Sequence, residues 1–155
     1  MSASHSIYIE APVEKVFDFF KDPRNWPALN PDPGAGREEI VEAHVTEEGV
    51  GTFHVWTLKP MPGIRYRCFG VFTEFVPNRR IVDKWSLAIE GDETYTFDVE
   101  GSGTRVTIQP HRASIWRLRP LDKLVDQFER AEQERALVML KKVMETAGAP
   151  ANAAG

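Results

Sequence analysis

The sequence SIYIEAPVEKVFDFFKDPRNWPALNP, residues 6–31, begins an amphipathic helix and breaks it early. Pro12 suits the first turn of a helix, where its missing N–H group costs nothing. Apolar side chains up to Phe20 then recur at helical spacing, which predicts one buried face. Pro23 ends the helix, because it lacks a donor and disfavours helical geometry at the residue before it.

A second apolar cluster, Trp26 and Leu29, follows the break and lies between prolines. It predicts a second short helix, set at an angle to the first. Two short helices with apolar inner faces can cap the end of a curved sheet and leave a cavity, whereas one straight helix would pack flat. Trp26 is therefore expected either in the cap of such a cavity or as a plain part of the core, and the residues leave both open.

Strands flank this segment on both sides. Residues 4–9 read as a short strand, and from residue 37 to residue 112 apolar and polar side chains alternate. Turn signals rich in glycine and proline interrupt the alternation at residues 48–51, 59–63, 77–78, 90–92 and 101–103. This spacing predicts about six further strands in an antiparallel meander, with one face covered and the other wet.

A long helix is predicted over residues 117–147, which contain no glycine and a single proline near the start. We expect it to lie across the concave face of the sheet. Its predicted buried side consists of apolar residues that share one face of a helical wheel: Leu121, Leu124, Val125, Phe128, Met139 and Val143. The sequence thus predicts an α+β domain over residues 1–147, followed by a disordered tail over residues 148–155.

The overall composition favours a soluble globular protein. The chain has 155 residues, 42% hydrophobic and 27% charged, with a net charge of −4 that argues against nucleic acid as a partner. A single cysteine, Cys68, and the lack of a signal segment or long apolar run favour a cytoplasmic location without stable membrane insertion. No spacing indicates a metal site, no cofactor is expected, and either a monomer or a homodimer fits.

The same elements resemble a known superfamily. The stretches that carry the likeness are IYIEAPVEKVFDFFKDPRNWPALNP, GVGTFHVWT, VFTEFVPNRRIVDKW, GSGTRVTIQP and FERAEQERALVMLKKVME. In order and content they resemble the START-like SRPBCC superfamily, which includes bacterial polyketide cyclase/dehydrase-like proteins and the birch pollen allergen. The resemblance implies a helix-grip fold, in which a curved seven-stranded antiparallel sheet wraps around the C-terminal helix and two short helices separate strands 1 and 2.

Asp83 is the first candidate for a functional side chain. Alternation places it on one face of its strand with Ile81, Trp85 and Leu87, which are apolar. A carboxylate in such surroundings needs a partner or holds its proton, as a general acid or a ligand anchor does. A structural ion pair explains the same pattern, and both interpretations stay open.

Glu132 and Arg135 raise the same question on the last helix. Both fall within the predicted apolar side of that helix, facing the sheet. Polar groups there need partners or water, which a cavity between helix and sheet would supply. Alternatively they form an i,i+3 pair on the rim, with Arg135 reaching outward.

The inner faces of residues 51–59 and 63–75 are not determined by their alternation, so the orientation of His54, Tyr66 and Cys68 is open. Catalytic residues are unknown, with Asp83, Glu132 and His54 as candidates. The candidate ligand-binding residues are aromatic, sulfur-containing or charged side chains of these elements: Trp26, Trp56, Tyr66, Cys68, Phe72, Asp83, Trp85, Tyr95, Phe97, Phe128, Glu132, Arg135 and Met139.

Three functions remain open at this stage. The resemblance implies binding of a small hydrophobic ligand, such as a lipid, polyketide or aromatic metabolite, between the sheet and the last helix. The alternative is a cyclase, aromatase or dehydratase that uses the same cavity. A co-chaperone-like or other protein-interaction module is the third hypothesis. None of the candidate residues has a spacing that by itself demands catalysis.

Overall fold

The computed structural model describes residues 3–30, 39–61, 63–86, 90–112 and 119–154. Seven strands form one curved antiparallel sheet, in the order β1-β7-β6-β5-β4-β3-β2. The strands are β1 His5–Ile9, β2 Glu39–His44, β3 Phe53–Met61, β4 Ile64–Val76, β5 Arg80–Ser86, β6 Glu90–Glu100 and β7 Gly103–Arg112. The helices are α1 Val13–Phe20, a 3₁₀ helix at Pro23–Leu29, and α2 Arg119–Ala154. The predicted α+β architecture is confirmed.

The broken helical segment forms as its prolines predict. Pro12 is the N-cap of α1, in extended geometry, and Pro23 is the first residue of the 3₁₀ helix. The Asp22 side chain accepts a hydrogen bond from the backbone N–H of Arg24 at 3.0 Å, which caps this second helix. The change of direction between the two helices therefore has a local cause on both sides of the break.

The apolar face of α1 packs on the sheet through aromatic rings. Phe17 meets Phe75 and Phe97 edge-on, each with ring centroids 5.2 Å apart. Phe20 lies 4.5 Å from the ring of Tyr95. These aromatic contacts belong to the main hydrophobic core and fix α1 over the sheet.

Two of the predicted turns differ from the structure. The turn predicted at residues 59–63 starts too early, because β3 continues to Met61, but the connection to β4 falls within that range and Gly63 has a left-handed φ of 84°. The turn predicted at residues 90–92 is wrong, because β6 begins at Glu90. The turn between β4 and β5 occurs where it was predicted, and Asn78 supplies a left-handed φ of 58° there. Leu87, predicted beside Asp83, lies outside the described residues.

The predicted buried side of α2 is also wrong. The helix buries Gln133, Leu137, Leu140 and Met144, whereas Leu124 and Phe128 are exposed by 62% and 38%. α2 packs mainly against β1 and the 3₁₀ helix, so its C-terminal half meets the apolar core. Of the remaining predicted residues, Val125, Met139 and Val143 are partly buried, and the side chain of Leu121 lies outside the description.

α2 extends to Ala154, past the end predicted near residue 147. The division into one domain over residues 1–147 and a disordered tail stays a prediction. No helix in the described ranges combines the length and apolar character needed to cross a bilayer.

Candidate functional site

Strand register determines which side chains share the inner face of the sheet. His54 lies opposite Gly70, and two residues further along β4 Phe72 lies opposite Asp83. Asp83 in turn lies opposite Glu93 on β6. Because side chains alternate along a strand, all of these positions point to the same face. The orientation left open by the sequence is thereby resolved, with His54 facing inward.

A buried pair of His54 and Asp83 lies at the centre of this face. The Nε2 atom of His54 is 3.0 and 3.1 Å from the two carboxylate oxygens of Asp83. His54 is 1% exposed and Asp83 is 3% exposed, so the pair is shielded from water. The expectation that Asp83 faces inward is confirmed, and its partner is a histidine from a strand far away in the sequence.

Gly70 makes room for this pair. A Cβ atom at position 70 would overlap the imidazole ring of His54, which lies directly over the backbone of β4. On another side of the imidazole, the indole ring of Trp26 stands edge-on, with centroids 4.8 Å apart. Trp26 is anchored through its Nε1–H, which donates to the backbone oxygen of Phe20 at 2.9 Å. It thus joins the broken helical segment to the histidine.

The second nitrogen of His54 has no hydrogen-bond partner. Its Nδ1 atom is buried and unpaired within the described part of the chain. Since Nε2 faces both oxygens of a carboxylate, the proton of a neutral imidazole belongs on Nε2. Nδ1 then carries a bare lone pair, the form of histidine that accepts a hydrogen bond or a proton.

Glu93 forms a second polar centre, opposite Asp83. The hydroxyl of Tyr95 donates to one of its oxygens, and Nε2 of Gln133 on α2 donates to the other at 2.8 Å. Burial raises the pKa of Glu93, the two hydrogen bonds lower it in part, and the nearby carboxyl of Asp83 raises it further. The result is a carboxyl group that keeps its proton to higher pH than an ordinary glutamate.

Arg112, at the end of β7, ties the N-terminal half of α2 to the sheet. Its guanidinium lies 2.7 Å from Asp122, 2.5 Å from Asp126 and 3.4 Å from Glu129, and its side chain is only 5% exposed. Burial is the main cause that raises the pKa of Glu129, and the positive charge of Arg112 opposes this effect. The inner surface of this half of the helix is therefore polar.

The other predicted aromatic and sulfur-containing site residues occupy different depths. Phe72, Cys68, Tyr95 and Phe97 are buried. Trp56, Trp85 and Met139 are partly buried, and Tyr66 is 46% exposed. Phe128 lies on the exposed side of α2. The inner face of β4 thus passes from a closed interior at Phe72 to solvent at Tyr66.

The charged pair on α2 lies at the rim. Arg135 binds Glu132, and its side chain is 64% exposed while that of Glu132 is 18% exposed. Of the two interpretations that the sequence left open, the structure shows the i,i+3 pair with Arg135 reaching outward, because α2 is rotated to bury Gln133 and Leu137. Whether Glu132 or Arg135 contacts a ligand stays a prediction.

Two residues of the site, Glu93 and Gln133, were not recognised in the sequence. Glu93 lies two residues before Tyr95, so extending the alternation of β6 would have placed it inside. Gln133 lies four residues before Leu137 on the same side of α2, and it was missed because the rotation of that helix was mispredicted. The ion pairs of Arg112 were not predicted either, because its three partners lie on another element.

The amino-acid sequence matches one family model. The model is described as polyketide cyclase / dehydrase and lipid transport, and the match covers residues 1–145. None of the curated proteins matches the sequence.

Solved structures resemble the fold over most of its length. CV1439 from Chromobacterium violaceum has a TM-score of 0.71 at 19% identity, covering 92% of this chain and 96% of that one. Ms6760 from Mycobacterium smegmatis has a TM-score of 0.71 at 16% identity, covering 93% and 90%. TTHA0849 from Thermus thermophilus has a TM-score of 0.66 at 24% identity, covering 94% and 97%. At these identities the likeness concerns the fold alone.

Proposed function

Because the chain belongs to the polyketide cyclase / dehydrase and lipid transport family, we propose that it binds a small, largely apolar molecule between the inner face of its sheet and α2. The observation that carries this proposal is the buried His54–Asp83 pair, set among aromatic rings with one nitrogen unpaired. Polar groups buried without partners cost stability, and they are concentrated at binding and catalytic sites.

Aromatic side chains supply the apolar part of this site. Trp26 stands against His54, and the ring of Phe72 lies 6.0 Å from that of Trp26. Tyr95 continues the same wall, 6.2 Å from Trp26. An apolar wall with a few convergent polar groups is the usual composition of a small-molecule site.

The proposed route of the ligand from solvent follows the inner face of the sheet. Trp56 and Trp85 are partly buried, and Tyr66 is exposed at the start of β4. α2 packs mainly against the 3₁₀ helix and against β1, and β1 lies at the opposite edge of the sheet from β2 and β3. The proposed entrance therefore lies at the inner face of β3, β4 and β5.

A neutral fluorescent dye tests the proposal. We expect N-phenyl-1-naphthylamine to bind and raise the melting temperature. Trp85→Ala should weaken binding about tenfold, because it removes apolar contact area from the inner face. Phe69→Ala is the matched control, since Phe69 is an exposed aromatic residue on the outer face of the neighbouring strand. Absence of dye binding, or equal losses in both variants, would contradict the proposal.

Acid–base catalysis is the second candidate function, and the geometry of His54 favours it. In a cyclisation or dehydration of a poly-β-ketone, Nδ1 would take a proton from a carbon between two carbonyl groups. Asp83 would stabilise the imidazolium that forms, as carboxylates do beside catalytic histidines. His54→Gln and Asp83→Asn should then abolish turnover of such a substrate while the dye still binds. Turnover that survives both changes would exclude this mechanism.

A further inference from the structure

Carboxyl groups line the proposed binding face. Asp83 and Glu93 lie on opposing positions of β5 and β6, and α2 adds Glu129 beside Arg112. Burial raises the pKa of Glu93 and of Glu129, because a negative charge is costly in this poorly hydrated space. An anionic head group between sheet and helix would meet the same cost.

Arg112 offers no free positive charge to a ligand. Its guanidinium already contacts Asp122, Asp126 and Glu129, and its side chain is almost wholly buried. Arg135, at the rim, is paired with Glu132 and points to solvent. Neither guanidinium is free to bind an anionic head group, which would need a charged partner to enter a buried site.

Two buried acceptors lack a hydrogen-bond partner among the described residues, Nδ1 of His54 and Oε2 of Glu129. Glu129 lies beside the guanidinium of Arg112, whereas the imidazole of His54 lies against the ring of Trp26, next to the aromatic wall. Both oxygens of Asp83 face Nε2 of His54, so Nδ1 is the acceptor that an apolar ligand would meet. A hydroxyl group of a ligand can donate to it, whereas a carboxylate or a phosphate diester cannot, since neither carries a proton at neutral pH.

We propose, on the basis of the ligand-binding function above, that the ligand is an uncharged apolar molecule whose hydroxyl group donates a hydrogen bond to Nδ1 of His54. Carboxylate and phosphate head groups are excluded, because their charge would be buried without a free cation nearby among the described residues. Fatty acids and phospholipids are therefore poor ligands, and aromatic alcohols such as phenols are good ones. Within the range of ligands that the family covers, this assigns the chain to hydroxylated aromatic molecules.

Three matched probes test this proposal by calorimetry on the intact protein at neutral pH: naphthalene, 2-naphthol and 2-naphthoate. They share one ring system and differ in the head group. We expect 2-naphthol to bind about tenfold more tightly than naphthalene, because it satisfies the buried nitrogen. We expect 2-naphthoate to bind more weakly than either, because its negative charge would be buried beside Asp83 without a free cation nearby among the described residues.

A histidine variant separates the hydrogen bond from simple apolar contact. In His54→Leu, 2-naphthol should lose its advantage, so that 2-naphthol and naphthalene bind this variant with equal affinity. In the unmodified protein, the nitrogen-15 resonance of His54 Nδ1 should shift with 2-naphthol and stay in place with naphthalene. This measurement tests the hydrogen bond to Nδ1 even if the variant does not fold.

The outcomes distinguish this proposal from the function on which it rests. If 2-naphthoate binds as tightly as 2-naphthol, or 2-naphthol binds no better than naphthalene, the ligand class is wrong and the binding function stands. If none of the probes binds, including the neutral dye, the binding function itself fails.

Discussion

Gly70 and His54 illustrate how one missing side chain shapes the site. The imidazole occupies the space in which a Cβ atom at position 70 would lie, and this position brings Nε2 to Asp83. The hydrogen bond between His54 on β3 and Asp83 on β5 therefore requires a residue without a side chain at position 70 of β4. His54 and Asp83 are adjacent across the glycine, although they lie on strands that are not paired with each other.

Gly70→Ala should therefore destabilise the protein by about 1–3 kcal/mol, because the added methyl group displaces His54 and leaves Asp83 buried without its partner. Urea unfolding measures this change. In a His54→Ala background the same glycine substitution should cost much less, since the overlapping ring is gone. An equal cost in both backgrounds would mean that the methyl group acts through another contact.

The raised pKa of Glu93 predicts how the folding stability changes with pH. Its pKa is raised, mainly by burial, so the folded protein holds a proton that the unfolded chain releases. Folding stability is therefore lost as the pH rises from the ordinary glutamate range through the raised pKa. Glu93→Gln should remove this loss, so the stability of the variant relative to wild type should increase across that interval.

Glu100→Gln is the control, with the opposite sign. Arg105 lowers the pKa of Glu100, so this carboxylate contributes stability that is lost as the pH falls. The relative stability of the Glu100 variant should decrease as the pH rises through the interval in which the glutamate ionises. Parallel pH profiles for the two variants would contradict the assignment of a raised pKa to Glu93.

Helix α2 has two different halves. In the C-terminal half Leu137, Leu140 and Met144 face the apolar core. In the N-terminal half the same side of the helix carries Gln133 and the carboxylates that bind Arg112. The N-terminal half of α2 is held to the sheet by charge and hydrogen bonds. The C-terminal half is held by burial of apolar area together with hydrogen bonds of Lys141 and Glu145 to the backbone of Tyr8 and Glu10.

Arg112→Met should loosen the N-terminal half of α2. The change leaves Asp122, Asp126 and Glu129 close together without their cation, and we expect a loss of about 2 kcal/mol in unfolding free energy. This is less than the roughly 3–5 kcal/mol of a fully buried pair, because Asp126 is half exposed. Amide hydrogen exchange should increase in the first turns of α2 and not near Met144.

The matched control for this prediction is Arg105→Met. Arg105 also binds a glutamate, Glu100, but both side chains are exposed, so the substitution should have little effect on stability. Equal losses of unfolding free energy in the two arginine variants would show that the burial of Arg112 adds nothing to the stability that its ion pairs provide.

At the scale of the whole molecule, the predicted boundary near residue 147 can be tested by truncation. The buried side of α2 that contacts the core reaches Met144. We expect a chain of residues 1–147 to melt at the same temperature as the full chain, since it keeps every core residue of α2 that the structure describes. A chain of residues 1–139 is the control, and it should unfold because it lacks Leu140 and Met144. A lower melting temperature for the first chain would place residues 148–155 in the folded domain.

Much of the fold could be predicted from the sequence because its causes are local. Pro12 and Pro23 act on their own backbone and delimit α1 whatever lies nearby. Asp83 was correctly predicted to face inward, since alternation along one strand suffices to place it among apolar neighbours. The number of strands and their antiparallel order follow from the same alternation and from the turns between them.

The candidate site depended on contacts between distant elements. Alternation divides β3 and β4 into two faces without saying which is inside, and only their register with β5 brought His54 to Asp83. The rotation of α2 was mispredicted because its apolar residues do not form one stripe along its length. The polar residues of α2 bind Arg112 and Glu93 on the sheet, and these contacts accompany the observed rotation of the helix.

The amino-acid order alone therefore specified where the chain turns, extends and coils, because each of those choices rests on neighbours within a few residues. Only the packing of the sheet, the 3₁₀ helix and α2 decided which polar groups are paired. The same packing left Nδ1 of His54 without a partner among the described residues. Hydrogen bonds and ion pairs act over a few ångströms in space, and separation along the chain does not reveal that distance.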